Sequence, residues 1–511
     1  MRISGYLDSK GLVCGVAVIL GLATFSAQAE TLTTQITVAS DGTAANGSVV
    51  WDQQPGISAD GRVIVFSSDA TNLDDLADNG FDDVYVHFWD DAEKRSTQRI
   101  SVGHDAEGNP VPGNGDSNHA RVSADGRMVV FSSAASNMVE NDNNNASDVF
   151  VYDRENGTIR RVSLPDTSML DEEANGRSGG GVISADGKYV AFVSDADNLV
   201  ADSLDASRNV YLHHIESGET RYIGPHPEGS FSVDDFWFVL DVGDTLAISG
   251  SGSQIAYYYR AGISSNDRVR YYDVEQDVTT TIPCPDCSGN IMVRRDTVSM
   301  SSDGRYVVFA TYHGINGSIG IVYLYDHQSG EVRAVATGGY DGQHSYDQGS
   351  IRPQISADGR YLVYTAYSDE YDDDGHHTQD GLVFVEDLKT GNTQCVSVTD
   401  SGIPWYSYSW NNALSADGAY VVFGSMSRYL VEDGNWRYDL YRHDRANGLG
   451  CTTPLTRDDG GSTVIIIDES VGTDGATDST STTGGGGGAL GLVGLLGLTM
   501  LLLRRRLYIG V

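Results

Sequence analysis

Basic residues, prolines and catalytic signatures are all in short supply in this chain. Its 511 residues hold 33 lysines and arginines against 71 aspartates and glutamates, for a formal net charge of −38. A surface this acidic repels phosphate backbones, which excludes nucleic acid as a partner and fits a well-hydrated exterior or divalent cation binding. No heptad or long amphipathic helical pattern is visible. Proline is scarce (11) beside abundant glycine (60) and tyrosine (28), so the chain reads as all-β with many turns. There is no G-x-S-x-G elbow, H-E-x-x-H, Walker loop or G-x-G-x-x-G after a strand, so no catalytic residue is assigned. The length exceeds what one ordinary core serves, leaving several domains or a repeat architecture.

The two ends carry the apolar runs. Arg2 and Lys10 precede the stretch Gly11–Phe25, and Ala27-Gln28-Ala29 offers the small residues that signal peptidase needs, so residues 1–29 read as a secretory signal. Residues 457–488 form a Gly/Ser/Thr/Asp-rich linker, 489–503 an apolar segment expected to be a transmembrane helix, and 504–511 a basic tail. The order Gly484–Gly488, apolar run, Arg504–Arg506 resembles the GlyGly-CTERM sorting tails of exported bacterial proteins. That resemblance implies membrane anchoring followed by cleavage and surface sorting; a permanent single-pass anchor is the alternative. Either way residues 30–483 are expected outside the cytoplasm. There, the lone C-x-x-C of Cys284 and Cys287 points to a local disulfide, while Cys395 and Cys451 stay open between paired and free.

Between the ends, one phrase recurs. Ser-Ala-Asp-Gly or a close variant places Asp at 60, 125, 186, 303, 358 and 417, and a degenerate copy places Ser251 there, at steps of 52 to 65 residues. Each copy joins two apolar strands by a tight turn in which Gly supplies a positive φ and Ser and Asp bond free N–H groups. A polar loop, a third strand (Asp83–Phe88, Asp148–Asp153, Asn209–His214), a Gly/Asn turn and a fourth strand follow. Sheets apolar on both faces bury themselves on like neighbours, so residues 30–456 are expected to form a β-propeller of seven blades with four antiparallel strands each. Thr33–Val38 and Cys451–Thr456 both match the fourth strand, and either could close the ring. The S-A-D-G-R-Y-V-A-F grammar resembles the TolB-type, WD-like propeller repeat, which implies protein partners in the cell envelope.

Candidate chemistry lies in the loops. D-x-N-x-x-x-D occurs at Asp142, Asn144, Asp148 and again at Asp433, Asn435, Asp439; Asp374–Asp380 is a variant with His. Oxygen ligands at this spacing suit calcium, the one cofactor indicated. Tyr406, Tyr408 and Trp410 would share one strand face as a platform for a sugar or peptide. Chemistry is also expected where the phrase fails, as at Ser251. The function that follows is a binding or protein-interaction scaffold, with envelope proteins or extracellular polysaccharide as partners. An extracellular hydrolase or lyase acting on polysaccharide or peptide at the propeller centre is the alternative, and a structural surface protein a third. An enzyme should show inward histidines or carboxylates breaking the repeat; a scaffold, a broad aromatic or apolar patch.

Overall fold

The computed structural model describes residues 33–445 apart from 51–52, 90–93, 169–172, 202–207, 226–244, 260–267, 286–290, 294–296, 314–320, 338–351, 372–376, 400–408, 428–429 and 432–436. The expected signal, linker, apolar segment and basic tail lie outside the described residues. So does the unit Ile467–Val511.

The unit that holds the described residues is a seven-bladed propeller. The second blade shows the plan: Ser117–Val122 is innermost, and Met128–Ser133, Asp148–Asp153 and Thr158–Arg161 follow outward, each antiparallel to the last. The middle two strands are buried along their whole length, as residues sandwiched between sheets must be. Blades one, three, four, five, six and seven begin with inner strands Gly56–Ile57, Ser178–Ile183, Leu246–Ile248, Ser299–Met300, Gln354–Ile355 and Ser409–Leu414. The fifth carries an additional strand, Ile291–Val293, on Tyr306–His313.

Ring closure is settled by backbone pairing. The outer strand of blade seven is Thr33–Gln35, antiparallel to Asp439–Asp444, so the N-terminal segment completes the last blade. Cys451–Thr456, the other candidate, lies outside the described residues. Closure also shows in the packing. Ile36, Val422 and Leu440 of blade seven share a core with Ile64, Phe66 and Tyr85 of blade one. Each of the other six interfaces has a core of its own, the one between blades one and two holding Val65, Val86, Val129, Phe131 and Phe150. Burying an aliphatic side chain contributes about 1.5–3 kcal/mol, so these interfaces, not the isolated sheets, hold the ring.

The repeated phrase is fully employed in this joinery. In blade one, Ser58 Oγ donates to Asp60 Oδ1 (2.6 Å) and accepts from Val63 N (3.0 Å), while Asp60 Oδ1 accepts from Arg62 N (3.0 Å). Gly61 has φ 72°, and a Cβ there would stand 2.4 Å from the Tyr420 ring of blade seven. The alanine forms the link between blades. Ala59 N donates to Ala124 O, Ala124 N to Ala185 O, Ser302 N to Ala357 O, and Ala416 N back to Ala59 O, at 2.9–3.1 Å. Most of the turns are thus tied into a girdle of interblade hydrogen bonds. The degenerate copy keeps its place in it: Gly250 N donates to Ser302 O, Gly252 keeps φ 76°, and Ser251 Oγ bonds Ser253 Oγ. Ser251 is a substitution within a turn that keeps its place in the girdle.

Candidate functional site

In the blade-two loop the oxygens expected to suit calcium face an arginine. Asp142 Oδ1 and Asp148 Oδ2 accept from Arg161 Nη1 at 2.9 and 3.3 Å, and Glu173 Oε1 accepts from Nη2 at 3.2 Å. Asn144 Nδ2 donates to Asp148 Oδ2 and Ser163 Oγ to Asp148 Oδ1. The cation these oxygens face is therefore the chain's own guanidinium, brought in from the outer strand. Blade one repeats the device, with Arg99 between Asp74 and Asp83 and Ser101 Oγ on Asp83 Oδ1. Burial raises Asp142 to about 6 and pushes Asp83 and Asp148 up as well, with the guanidiniums opposing. In blade seven, Asp439 accepts from Thr37 Oγ1 at 2.5 Å, and Asp433 and Asn435 lie outside the described residues. The Asp374–Asp380 segment is not wholly a loop, since His377–Asp387 is one long strand with Asp380 opposite Ser368. Among the described residues, no group of three or more histidine, cysteine or carboxylate side chains is arranged to hold a metal ion.

The other expected sites are partly described. Cys284 is disulfide-bonded, and Cys287 lies outside the described residues. Cys395 is buried, its Sγ 4.0 Å from Ser397 Oγ. Tyr406 and Tyr408 lie outside the described residues, and Trp410 pairs with Gly424 in the inner strand of blade seven. Exposed large hydrophobics among the described residues are Phe81, Val278 and Met426, in three different blades, so they form no patch.

A different set of residues breaks the repeat. Six places ahead of each turn Asp (or Ser251) stand Gln54, His119, Gly180, Thr245, Thr297, Arg352 and Asn411, all buried. Where the turn repeats, this position varies. Long polar side chains occupy it in blades six, seven, one and two, which are consecutive around the ring; Gly180, Thr245 and Thr297 occupy the remaining arc. Hydrogen bonds link these positions, directly or through the residues beside them, from blade to blade. Arg352 Nη1 donates to Asn411 Oδ1 between blades six and seven. Gln354 Nε2 donates to Gln54 Oε1, joining blade six to blade one past blade seven, a span available only near the axis. Arg121 Nη1 donates to Gln54 O (2.7 Å), and Gln53 Oε1 accepts from His119 N (2.9 Å).

Backbone irregularity marks two of these positions, and Gly180 as well. In blades two, three and seven the inner strand carries an extra residue opposite Phe131, Phe192 and Phe423, and the bulged residue is left-handed: His119 (φ 56°), Gly180 (62°) and Asn411 (56°). Glycine takes this conformation freely; His and Asn take it at a cost of roughly 1–3 kcal/mol, and such bulges re-aim side chains. His119 is 5% exposed. Its Nδ1 lies 2.7 Å from Asn118 Oδ1, an acceptor, which places the ring proton on Nδ1 and a lone pair on Nε2. Nε2 has no hydrogen-bond partner among the described residues. Burial, then the charges of Arg121 and Arg352, push the pKa of His119 down to about 3, so the ring is neutral at ordinary pH. A cleft of about 520 Å³ lies between blades five and six, with Asp326, Arg333, Asp358, Arg360 and Lys389 in its wall. Its charges are of both signs, and Arg360 belongs to the Arg–Asp pair that blades two, five and six share (Arg127–Asp153, Arg305–Asp326, Arg360–Asp387). It is a joint between blades.

No family model matches the chain, and no curated protein does. Solved structures do. An oligogalacturonate lyase in complex with manganese is 13% identical, with 82% of this chain and 95% of that one covered at a TM-score of 0.49. The β-propeller domain of the Trilobed protease from Pyrococcus furiosus is 13% identical (79% and 95% covered, TM-score 0.44), and TolB from Acinetobacter baumannii 14% (71% and 77%, TM-score 0.34). These likenesses concern the propeller fold alone.

Proposed function

We propose that the chain is an exported binding propeller of the cell envelope, held at the membrane or sorted to the surface through its C-terminal segment, and that its ligand is bound at the axis. The observation that carries this reading is the convergence of Gln54, His119, Arg352 and Asn411 from four consecutive blades, at the one inner-strand position where the repeat does not repeat. The left-handed bulges at His119 and Asn411 hold buried polar residues at a backbone cost that glycine, as at Gly180, would not incur. The apolar runs at both ends support export and anchoring. The test is thermal melting of residues 30–483 against a panel of envelope polysaccharides and peptides. A stabilising ligand should lose its effect in the His119→Ala/Arg352→Ala double variant; a ligand unaffected by that pair would place the site elsewhere.

A hydrolase or lyase at the propeller centre is the second reading. It is favoured by one feature, a neutral inward histidine whose Nε2 lone pair has no protein partner. Product release from a ligand found in the melting panel, abolished by His119→Ala with binding retained, would establish it; binding without turnover would leave the propeller as a receptor.

A further inference from the structure

Side chains bridge the joints of the ring at their outer level, with one exception. Gln98 Nε2 of blade one donates to Tyr152 Oη of blade two (3.4 Å), Arg160 Nη1 of blade two to Ile215 O of blade three (3.3 Å), and Arg221 Nη1 of blade three to Val274 O of blade four (3.1 Å). The His327 ring of blade five stacks on Tyr271 of blade four, centroids 4.1 Å apart. From blade seven, Arg445 Nε donates to Gln394 Oε1 of blade six and Arg442 Nη1 to Gly61 O of blade one, both at 3.1 Å. Arg333 is the counterpart of these outer-strand residues in blade five. It pairs with Leu324 as Gln98 pairs with Val86, Arg160 with Val151, Arg221 with Leu212 and Gln394 with Val385. Its guanidinium makes no hydrogen bond or ion pair among the described residues, and the joint it would cross holds the cleft of about 520 Å³.

We propose that this cleft binds an extended peptide segment of a protein partner, with an acidic and a basic side chain two residues apart. The site is separate from the axis and does not depend on the reading given for it.

The chemistry follows from which charges the joint leaves over. Asp326 is held by Arg305 and Arg360 by Asp387, each at 2.7 Å, and Asp358 serves its own turn. Glu331 and Arg333 on blade five and Lys389 on blade six, all exposed, line the cleft with no side-chain bond among the described residues. Glu386 of blade six, opposite Leu362, faces the same joint. Burial pushes its carboxyl up and Arg333 opposes this, yet no ion pair closes between them. Glu331 and Arg333 stand two places apart in one strand, so they project on the same side about 6.6 Å from each other. An extended peptide repeats its side chains at the same interval, so a basic and an acidic residue two apart can meet both at once. Lys389, across the cleft, adds to the attraction for the acidic one. A lone anion answers Arg333 and Lys389 but is repelled by Glu331; a lone cation meets the reverse. Tyr306, Leu324 and Leu388 supply apolar wall for the uncharged part of the segment, and the volume falls within the range of ligand pockets.

Calorimetric titration of the full chain in detergent with end-blocked pentapeptides tests this. Ala-Lys-Ala-Glu-Ala or its reverse, Ala-Glu-Ala-Lys-Ala, should bind. Ala-Ala-Lys-Glu-Ala, identical in composition, and peptides with only the lysine or only the glutamate should bind about fivefold or more weakly. Added salt should weaken the mixed peptide. Arg333→Gln/Lys389→Gln should bring the mixed peptide down to the lysine-only one, with melting temperature within about 2 °C because no bond inside the protein is lost. Arg160→Gln, which breaks the crossing bond of another joint, should lower the melting temperature and leave peptide binding unchanged. The His119→Ala/Arg352→Ala pair should leave it unchanged too, which separates the cleft from the axis. Adjacent-charge or single-charge peptides binding as tightly as the mixed ones, mixed binding that ignores Arg333→Gln/Lys389→Gln, or no binding by any of these peptides would each overturn the proposal.

Discussion

Two stretches of the same inner strands, six residues apart, behave as opposites. At the turn, six blades use Ser, Asp and Gly in the same places, and the degenerate one keeps the bond from Gln254 N to Ser249 Oγ while Ser251 turns to Ser253. At the axial position no more than two blades agree, and Gln, His, Arg and Asn gather on one side. The difference lies in what each must do. A closed ring demands that every joint have the same geometry, so whatever makes one good joint makes seven. A ligand on the axis meets all blades at once and needs each to contribute something different. Repetition in a propeller therefore marks structure, and its breakdown at a fixed offset marks function.

The comparison can be broken first at the joints. Deleting Thr33–Val38 removes the outer strand of blade seven, together with Ile36 from the closing core and Thr37 from Asp439. We expect the largest effect here, loss of a single cooperative melt; an unchanged melting temperature would refute closure by this segment.

Acid should come next. His87, His213 and His443 each face a threonine hydroxyl (Thr97, Thr220, Thr33) that donates onward to a backbone carbonyl at the preceding blade's exit. The hydroxyl's single proton is thus spent, so each Nδ1 must be the donor. Burial leaves no place for a second ring proton and lowers these histidines from 6.5 to about 3, 4 and 4. With His119 they give four imidazoles depressed in the folded state. Stability is complete above about pH 6.5 and falls as pH drops toward the folded values, by about 1.4 kcal/mol per unit per histidine. Asp142, raised to about 6, acts in the opposite sense, and Asp83 and Asp148 join it lower down. Melting temperature should therefore drop from about pH 6.5 downward, less steeply once the carboxylates protonate, and the drop should continue toward about pH 4. In Thr220→Val, which strips one relay of its acceptor, the drop should be smaller if His213 leaves its buried pocket.

Single-turn damage is smaller. Gly61→Ala meets both a positive φ and the Tyr420 ring and should cost about 2 kcal/mol; Ser58→Ala, which loses bonds to Asp60 and Val63, about 1–2 kcal/mol, both read by denaturant melts. Smallest of all should be Asn411→Gly. Relief of the left-handed strain and loss of the Arg352 contact oppose each other, leaving a change under about 1 kcal/mol while ligand binding falls.

These two regions were not equally legible beforehand. The phrase could be read because all its bonds are local: Ser, Asp and Gly satisfy one another within five residues. Blade count and strand order followed from it. Ring closure stayed ambiguous because two segments carried the same strand pattern and only pairing with Asp439–Asp444 separates them. The arginine in the blade-two loop was not legible because Arg161 enters from a strand that begins ten residues after the loop closes at Asp148, and spacing within the loop cannot reveal it. The axial cluster escaped because its members are single residues in different blades, up to 357 positions apart. The only signal was their common offset from the turn, visible once the copies are stacked and the variable column is sought rather than the constant one.

The most direct test sets one substitution from each region side by side: Gly61→Ala and Arg352→Gln, each measured for melting temperature and for Kd toward a ligand that stabilises the unmodified protein in the melting panel. Separate roles require Gly61→Ala to melt lower with Kd unchanged, and Arg352→Gln to keep its melting temperature with Kd raised about tenfold or more. Both variants losing stability and affinity in parallel, or Arg352→Gln binding as the unmodified protein does, would contradict the division between a repeating frame and a varied axis.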